Sequence, residues 1–441
     1  MGNILTSNPG GLCTSKFVPS VIPFAATQGV YLKLASDQSN WEVMNSWSFG
    51  TTYTRAAWDA RILEIKAING GKGFHLDVPW GLYEKGASGG DFTNLRYLKT
   101  ICDEAYANGL YVFLDPLIFR EFRSSNVSSL PLDQQMRYLL PEDMRTHAGL
   151  IDTPDVPAAQ AHYRFDYAYA YDKSSGTGFG YDIKAYNATL QTRFIRFARA
   201  VCDWLGNHPA VIGITSTESV DGTPVWTGAG GFEGGFTTRQ AYFAGKTSIM
   251  RAVNGMFKRQ MVAQSINYPN EGTAVTDPID YVGTWHTFAQ TEKFSLTAPN
   301  AQWWSTSLNR VGSGSAPKGG NRYFTAFTGP RIVQWQGDEF DSVVNSAPAI
   351  STTADYTQRY ADLYTRSTVG DGGSKFALNA THIIVQRSMA PEIWLGGTTS
   401  SVPNVPNGVT VPSLSAFFNN ASYVPQDGYA GLSNQTVAYI T

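Results

Sequence analysis

Eight short apolar runs alternate with amphipathic segments along most of this 441-residue chain. That rhythm predicts an α/β protein, a (β/α)8 TIM barrel with a long insertion after strand three and irregular N- and C-terminal arms. Two further observations support the barrel. The segments between the runs hold apolar residues at helical spacing, and several end in Asn or Gly stop signals. No Gly-x-Gly-x-x-Gly turn follows the first run, which disfavours the open doubly wound sheet that the same alternation would otherwise allow.

The elements follow in order. Residues 1–28 form an arm ahead of strand one, "GVYLKLA". The helical segment "AAWDARILEIKAING" ends in Asn-Gly-Gly and leads to strand two, "GKGFHLDVPW". In "TNLRYLKTICDEAYANGL", Leu95, Leu98, Ile101, Cys102 and Ala105 share one helix face, and Asn108-Gly109 closes it. Strand three is "LYVFLDPL". An insertion over about 120–187 then breaks the rhythm, and its stretch "HYRFDYAYAYD" is rich in tyrosine. Long loops at the active face of a barrel shape the substrate cleft, so these tyrosines are expected to form one of its walls; a contact between copies of the chain is the alternative. The helix "TRFIRFARAVCDWLGN" leads into strand four, "VIGITSTESVDG". "RQMVAQSIN" reads as strand five, "DYVGTWHTF" as strand six and "RIVQWQGDEF" as strand seven. The helix "ADYTQRYADLYTRS" and strand eight, "THIIVQRSM", complete a barrel over 29–397. Residues 398–441, rich in Pro, Asn, Ser and Gly, read as a second arm, packed on the barrel or on a neighbour.

Composition narrows the function. Hydrophobic residues make up 42% of the chain, enough for a large core. Charged residues are only 15%, the formal net charge is −2 and no Lys/Arg block occurs, which argues against nucleic acid or an anionic membrane as partner. No apolar segment approaches the roughly 20 residues that span a bilayer. The N-terminus lacks the basic and apolar regions of a secretory signal, so a cytoplasmic or virion-associated protein is expected. Gly2 and Thr6 match a myristoylation pattern, but nothing nearby is polybasic. Three cysteines make no framework; Cys102 and Cys202, on apolar helix faces, read as buried free thiols.

Barrel enzymes place their chemistry just past the C-terminal ends of the strands. Polar and aromatic residues there are His75, Asp77 and Trp80 after strand two, Asp115 and Arg120 after strand three, and Thr217 and Glu218 after strand four. Asn267 and Tyr268 follow strand five, Trp285 and His286 strand six, Asp338 and Glu339 strand seven, and Gln386 and Arg387 strand eight. Trp226, Trp303, Trp304 and Trp335 are further candidates for stacking on a sugar, with ordinary core packing as the alternative for each. Carboxylates supply proton transfer and nucleophilic attack at an anomeric carbon, and aromatic faces stack on sugar C–H surfaces. Side chains alternate along a strand, so only one of Asp338 and Glu339 should face the pocket. "GDEFD" lacks the ligand spacing of a calcium loop, and "GAGGFEGGF" lacks the Lys-Ser/Thr ending of a phosphate loop.

These stretches resemble the clan A glycoside hydrolases, the cellulase- and mannanase-like barrels. "HPAVIGITSTES" looks like the strand-four motif that ends in the acid/base Glu, and "RIVQWQGDEFD" like the strand-seven motif with the nucleophile. "YVGTWHTF" is similar to the strand-six pattern, and "LKTICDEAYANGLYVFLDP" to the second helix and third strand. The resemblance covers roughly Gly29 to Trp394. It implies a retaining hydrolase of poly- or oligosaccharides, with Glu218 as acid/base, Glu339 as nucleophile and neither cofactor nor metal. The chain departs from the clan at two places: Thr217 stands where an Asn usually precedes the acid/base, and His75 where an Arg is usual. The alternative is a non-catalytic sugar-binding or structural component of a larger assembly, such as a bacteriophage virion or tail, joined to other copies through the terminal arms.

Overall fold

In the computed structural model, the described residues are 24–34, 55–117, 119–122, 136, 139–151, 162–172, 179–216, 223–224, 226–227, 231–232, 239–265, 281–298, 301, 327, 329–335, 348–371, 377–386, 395–400, 402 and 405–426. Eight parallel strands close a barrel: β1 (Gly29–Leu34), β2 (Gly71–Pro79), β3 (Tyr111–Leu117), β4 (Val211–Ser216), β5 (Met261–Ser265), β6 (Ser295–Ala298), β7 (Arg331–Trp335) and β8 (His382–Gln386). Each strand pairs with its neighbour in sequence, and β8 returns to β1. The protein is therefore a (β/α)8 barrel. Around it lie the helices α1 (Arg55–Lys66), α2 (Leu95–Ala107), α3 (Ala188–Leu205), α4 (Arg239–Met256), α5 (Tyr281–Glu292) and α6 (Thr353–Ser367).

Local chemistry sets the element ends. The Asn187 side chain accepts a hydrogen bond from the backbone N–H of Leu190 and starts α3. Thr352 and Asp355 form a reciprocal capping box on α6. Gly109, at φ 70°, follows α2 in the left-handed conformation that only glycine adopts without strain, and turns the chain into β3. Gly213 on β4 has another reason: a Cβ there would come within 2.3 Å of the Phe113 ring, so glycine makes room for an aromatic inside the barrel.

Two apolar regions result. The larger packs the outward strand faces against the helices, and the buried thiols of Cys102 and Cys202 belong to it. The smaller fills the barrel with Tyr31, Phe113, Ile212, Met261, Ala263, Ile332 and Ile384. Tyr31 meets Phe113 edge-on at 4.9 Å, and its hydroxyl donates to the carbonyl of Thr27 at 2.5 Å. His382 sits below them, 5.4 Å from the Phe113 ring, between the hydroxyls of Thr381 at 2.9 Å and Thr27 at 3.3 Å. These contacts plug the N-terminal end of the barrel.

The insertion builds a small antiparallel sheet from Phe119–Phe122, Phe179–Ile183 and Ala168–Asp172. Its fourth strand, Thr223–Pro224, comes from the connection after β4. The insertion also sends Met136, Leu139, Leu140 and Met144 into the main core. After β8, a short helix α7 (Leu414–Phe418) packs Phe417 on Tyr360 of α6 at 5.3 Å and stacks Phe418 on Trp335 at 5.6 Å. Asn419 then joins the α1–β2 turn, accepting from the Asn69 N–H and donating to the Ala67 carbonyl.

One expected strand is a helix. "DYVGTWHTF" is the expected strand six, yet 281–292 is α5 and the sixth strand is "SLTA". The burial of Trp285, Phe288 and Ala289 follows helical spacing, three and four residues apart, and tertiary packing of that stripe overrides the local strand preference.

Candidate functional site

Alternation along a strand gives the geometry at the C-terminal end. Tyr31 on β1 and Phe113 on β3 face the interior, so Lys33 and Asp115, two residues further toward the strands' C-terminal ends, face the same space. His75 on β2 pairs in register with Lys33, and Asp77 with Asp115. These four side chains meet. Lys33 Nζ lies 3.5 Å from Asp77 Oδ1 and 3.4 Å from Asp115 Oδ2. His75 Nε2 is 2.7 Å from the hydroxyl of Thr215 on β4 and 3.8 Å from Asp115 Oδ2.

Burial sets the charges. Desolvation, aided by the Lys33 ammonium, holds the His75 imidazole well below its usual pKa, so the ring is neutral. Desolvation raises the Asp115 carboxyl to about 8; Lys33 opposes the shift and the nearby Asp77 charge adds to it. The 3.8 Å approach of His75 to Asp115 is thus a contact between a neutral ring and a carboxyl group, not an ion pair. His75 Nδ1 and Asp115 Oδ1 are buried without a hydrogen-bond partner. So are the hydroxyls of Ser265 and Thr297, neighbours in register on β5 and β6. Ser265 shares its strand face with the interior residue Ala263, and Thr297 pairs with the interior residue Ile332. The floor of the mouth is therefore polar from β1 round to β6. One nitrogen and two carboxylate oxygens, from His75, Asp77 and Asp115, lie within 4.8 Å of one another and could hold a cation.

Of the site residues read from the sequence, the structure brings together His75, Asp77 and Asp115. It moves four aromatic or imidazole candidates away from the mouth. Trp80 is fully buried under α3, edge-on to Phe194 and stacked on Phe197, and its indole N–H donates to Glu84 at 2.5 Å. Glu84 also binds Arg193 and Arg196, so Trp80 belongs to a structural ion-pair network. Trp335 ends β7 but points outward, donating to the Ser367 hydroxyl at 2.9 Å beneath Phe418. Trp285 is buried on α5 between Phe243 and Phe288. His286 lies on the same helix, edge-on to Phe327, with burial lowering its pKa. Large aromatic rings bury more area in the shell between strands and helices than at an open mouth, and that term decides their place. Trp226 lies in a two-residue strand, Trp226–Thr227, paired with Gly231–Phe232. Thr217, Glu218, Asn267, Tyr268 and Glu339 lie outside the described residues, as do Trp303, Trp304, Asp338 and Arg387.

Sequence reasoning missed Lys33, Thr215, Ser265 and Thr297. Lys33 alone left a signal: a lysine inside an otherwise apolar barrel strand, two residues from an interior tyrosine, needs a buried counter-charge.

No protein-family model matches the chain, and no curated protein matches it. Solved structures similar to it include the catalytic domain of a β-amylase from Paenibacillus polymyxa, 10% identical, with a TM-score of 0.46 over 90% of this chain and 97% of that one. A Bacteroidetes-affiliated cellulase of glycoside hydrolase family 5 is 10% identical, with a TM-score of 0.41 over 93% and 97%. A glycoside hydrolase family 5 enzyme from Prevotella bryantii is 12% identical, with a TM-score of 0.40 over 82% and 89%. Likeness at this level carries no chemistry from those chains to this one. Among the described residues, no helix is long and apolar enough to cross a membrane.

Proposed function

We propose that this barrel is a retaining glycoside hydrolase whose substrate enters the C-terminal mouth. The observation that carries the reading is the polar floor built by Lys33, His75, Asp77, Asp115, Thr215, Ser265 and Thr297, four of which keep a buried polar atom without a partner. Buried polar groups cost stability unless they are satisfied, and apolar side chains would close this layer at lower cost. A ligand rich in hydroxyl groups would satisfy them.

The chemistry is assigned to the two glutamates. In sequence, Glu218 is the second residue after the end of β4 and Glu339 the fourth after the end of β7. In the proposed mechanism, Glu339 attacks the anomeric carbon while Glu218 protonates the departing oxygen. Glu218 then takes a proton from water as that water displaces Glu339. Net retention requires the two carboxyl groups to stand about 5–5.5 Å apart. A negative nucleophile at that distance favours the protonated acid near neutral pH.

The insertion supports a built cleft. Its strand Ala168–Asp172 pairs with Thr223–Pro224, in the connection that carries Glu218. The tyrosine-rich stretch is thereby tied to the segment assigned the acid/base role and is proposed as one wall of the cleft.

The test is release of new reducing ends from a panel of polysaccharides by the purified chain. One polysaccharide in the panel should be cleaved, and Glu218→Gln should lower that rate by about 10²–10⁴-fold, the range for loss of a general acid. If the native chain cleaves none while still binding one of them, the barrel is a recognition scaffold.

A further inference from the structure

We propose that His75, Asp77 and Asp115 form a divalent-cation site of the Zn²⁺ or Mn²⁺ class in the mouth of the barrel, with the Lys33 ammonium standing in the cation's place when no metal is bound. The three ligand atoms come from adjacent strands and lie within 4.8 Å of one another, close enough for modest side-chain rotation to bring them round one ion. The site also has unused coordinating capacity. His75 Nδ1 and Asp115 Oδ1 are buried without a partner, on residues only 2% and 3% exposed. The mixture of one imidazole with two carboxylates suits Zn²⁺ or Mn²⁺ better than the all-oxygen shells preferred by Ca²⁺ and Mg²⁺. The Thr215 hydroxyl holds His75 Nε2 at 2.7 Å and fixes the ring, as an outer-shell partner does at metal centres.

Lys33 occupies this arrangement at long distances from both aspartates. Its ammonium stands 3.4 and 3.5 Å from one oxygen of each carboxylate, longer than the roughly 2.7–2.9 Å of a tight charge-assisted hydrogen bond. One positive charge also faces two aspartates. The Lys33 side chain, 12% exposed, is more open than the 3–4% of the three ligands, so it is the group placed to swing out as an ion enters.

The test is separable from that of the hydrolytic reading, because it reads metal binding and not turnover. The full chain, stripped with chelator, is titrated with Zn²⁺ in a calorimeter, and with Co²⁺ while its visible ligand-field absorption is followed. One equivalent per chain is expected, with a cobalt spectrum that Zn²⁺ abolishes. Asp115→Asn should weaken binding at least tenfold and Lys33→Met should tighten it about tenfold, each checked for native circular dichroism. Absence of stoichiometric binding by the native chain overturns the proposal, whatever the variants do. Unchanged affinity in Asp115→Asn places the ion elsewhere and overturns it too. A Lys33→Met chain that binds no tighter than the native one rejects the exchange with the ammonium.

Discussion

His382 and Asp115, buried at opposite ends of the same barrel, should give stability pH dependences of opposite sign. Burial holds His382 down to about 3, whereas an unfolded imidazole titrates near 6.5. The folded chain then binds fewer protons, so this group's stabilising contribution is complete above about pH 6.5 and is lost as pH falls toward 3. The denaturation midpoint should fall between pH 6.5 and 4, and His382→Asn should reduce that slope by about one proton per chain. An unchanged slope would show that the imidazole titrates without opening the barrel. Asp115 behaves inversely: its folded pKa of about 8 lies above the unfolded value near 4, so stability declines as pH rises through that window. Asp115→Asn should match the native chain near pH 5 and exceed it in denaturation midpoint at pH 8.5. His75, Asp77 and Asp115 could be found in the sequence because a polar residue in an apolar strand stands out. The tryptophans could not be placed, because a strand pattern does not tell a ring facing the mouth from one facing the helices.

At the scale of elements, α2, α3 and α6 were legible because each presents an apolar stripe at helical spacing. α5 was not. Its aromatic and β-branched residues are strand formers, and only the burial of Trp285, Phe288 and Ala289 reveals the helical period. The fold of α7 was equally hidden, since five residues carry too little periodicity and its place depends on Trp335 and Tyr360 far back in the chain. Phe418→Ala therefore tests whether the C-terminal segment is part of the folding unit. Loss of a fully buried phenylalanine should cost about 3–5 kcal/mol in equilibrium unfolding. The fluorescence of Trp335, uncovered by the change, should shift to the red. A variant within about 0.5 kcal/mol of the native chain would make α7 a dispensable appendage.

For the whole molecule, the eightfold repeat was legible in sequence, and the closure of β8 on β1 confirms it. The insertion was legible as an interruption of that repeat, but not as a sheet that borrows Thr223–Pro224 from the next connection. That pairing joins residues about 50 apart in sequence, and no local pattern encodes it. It also ties the insertion to the connection bearing Glu218. Tyr169→Ala with Tyr171→Ala should accordingly raise the KM for a cleaved polysaccharide at least several-fold while leaving the thermal midpoint within a few degrees; an unchanged KM would assign these tyrosines to another surface. The central claim remains the proposed division of labour between the two glutamates that follow β4 and β7 in sequence, and azide rescue separates their roles most directly. Each glutamine variant is given azide and a dinitrophenyl glycoside of the sugar that the native chain cleaves. With Glu218→Gln, the good leaving group departs without an acid, azide replaces water, and the account predicts restored turnover with a glycosyl azide of retained configuration. With Glu339→Gln, azide replaces the nucleophile itself, and the predicted product is inverted. Absence of rescue in both variants, or the same configuration from both, would contradict the assignment.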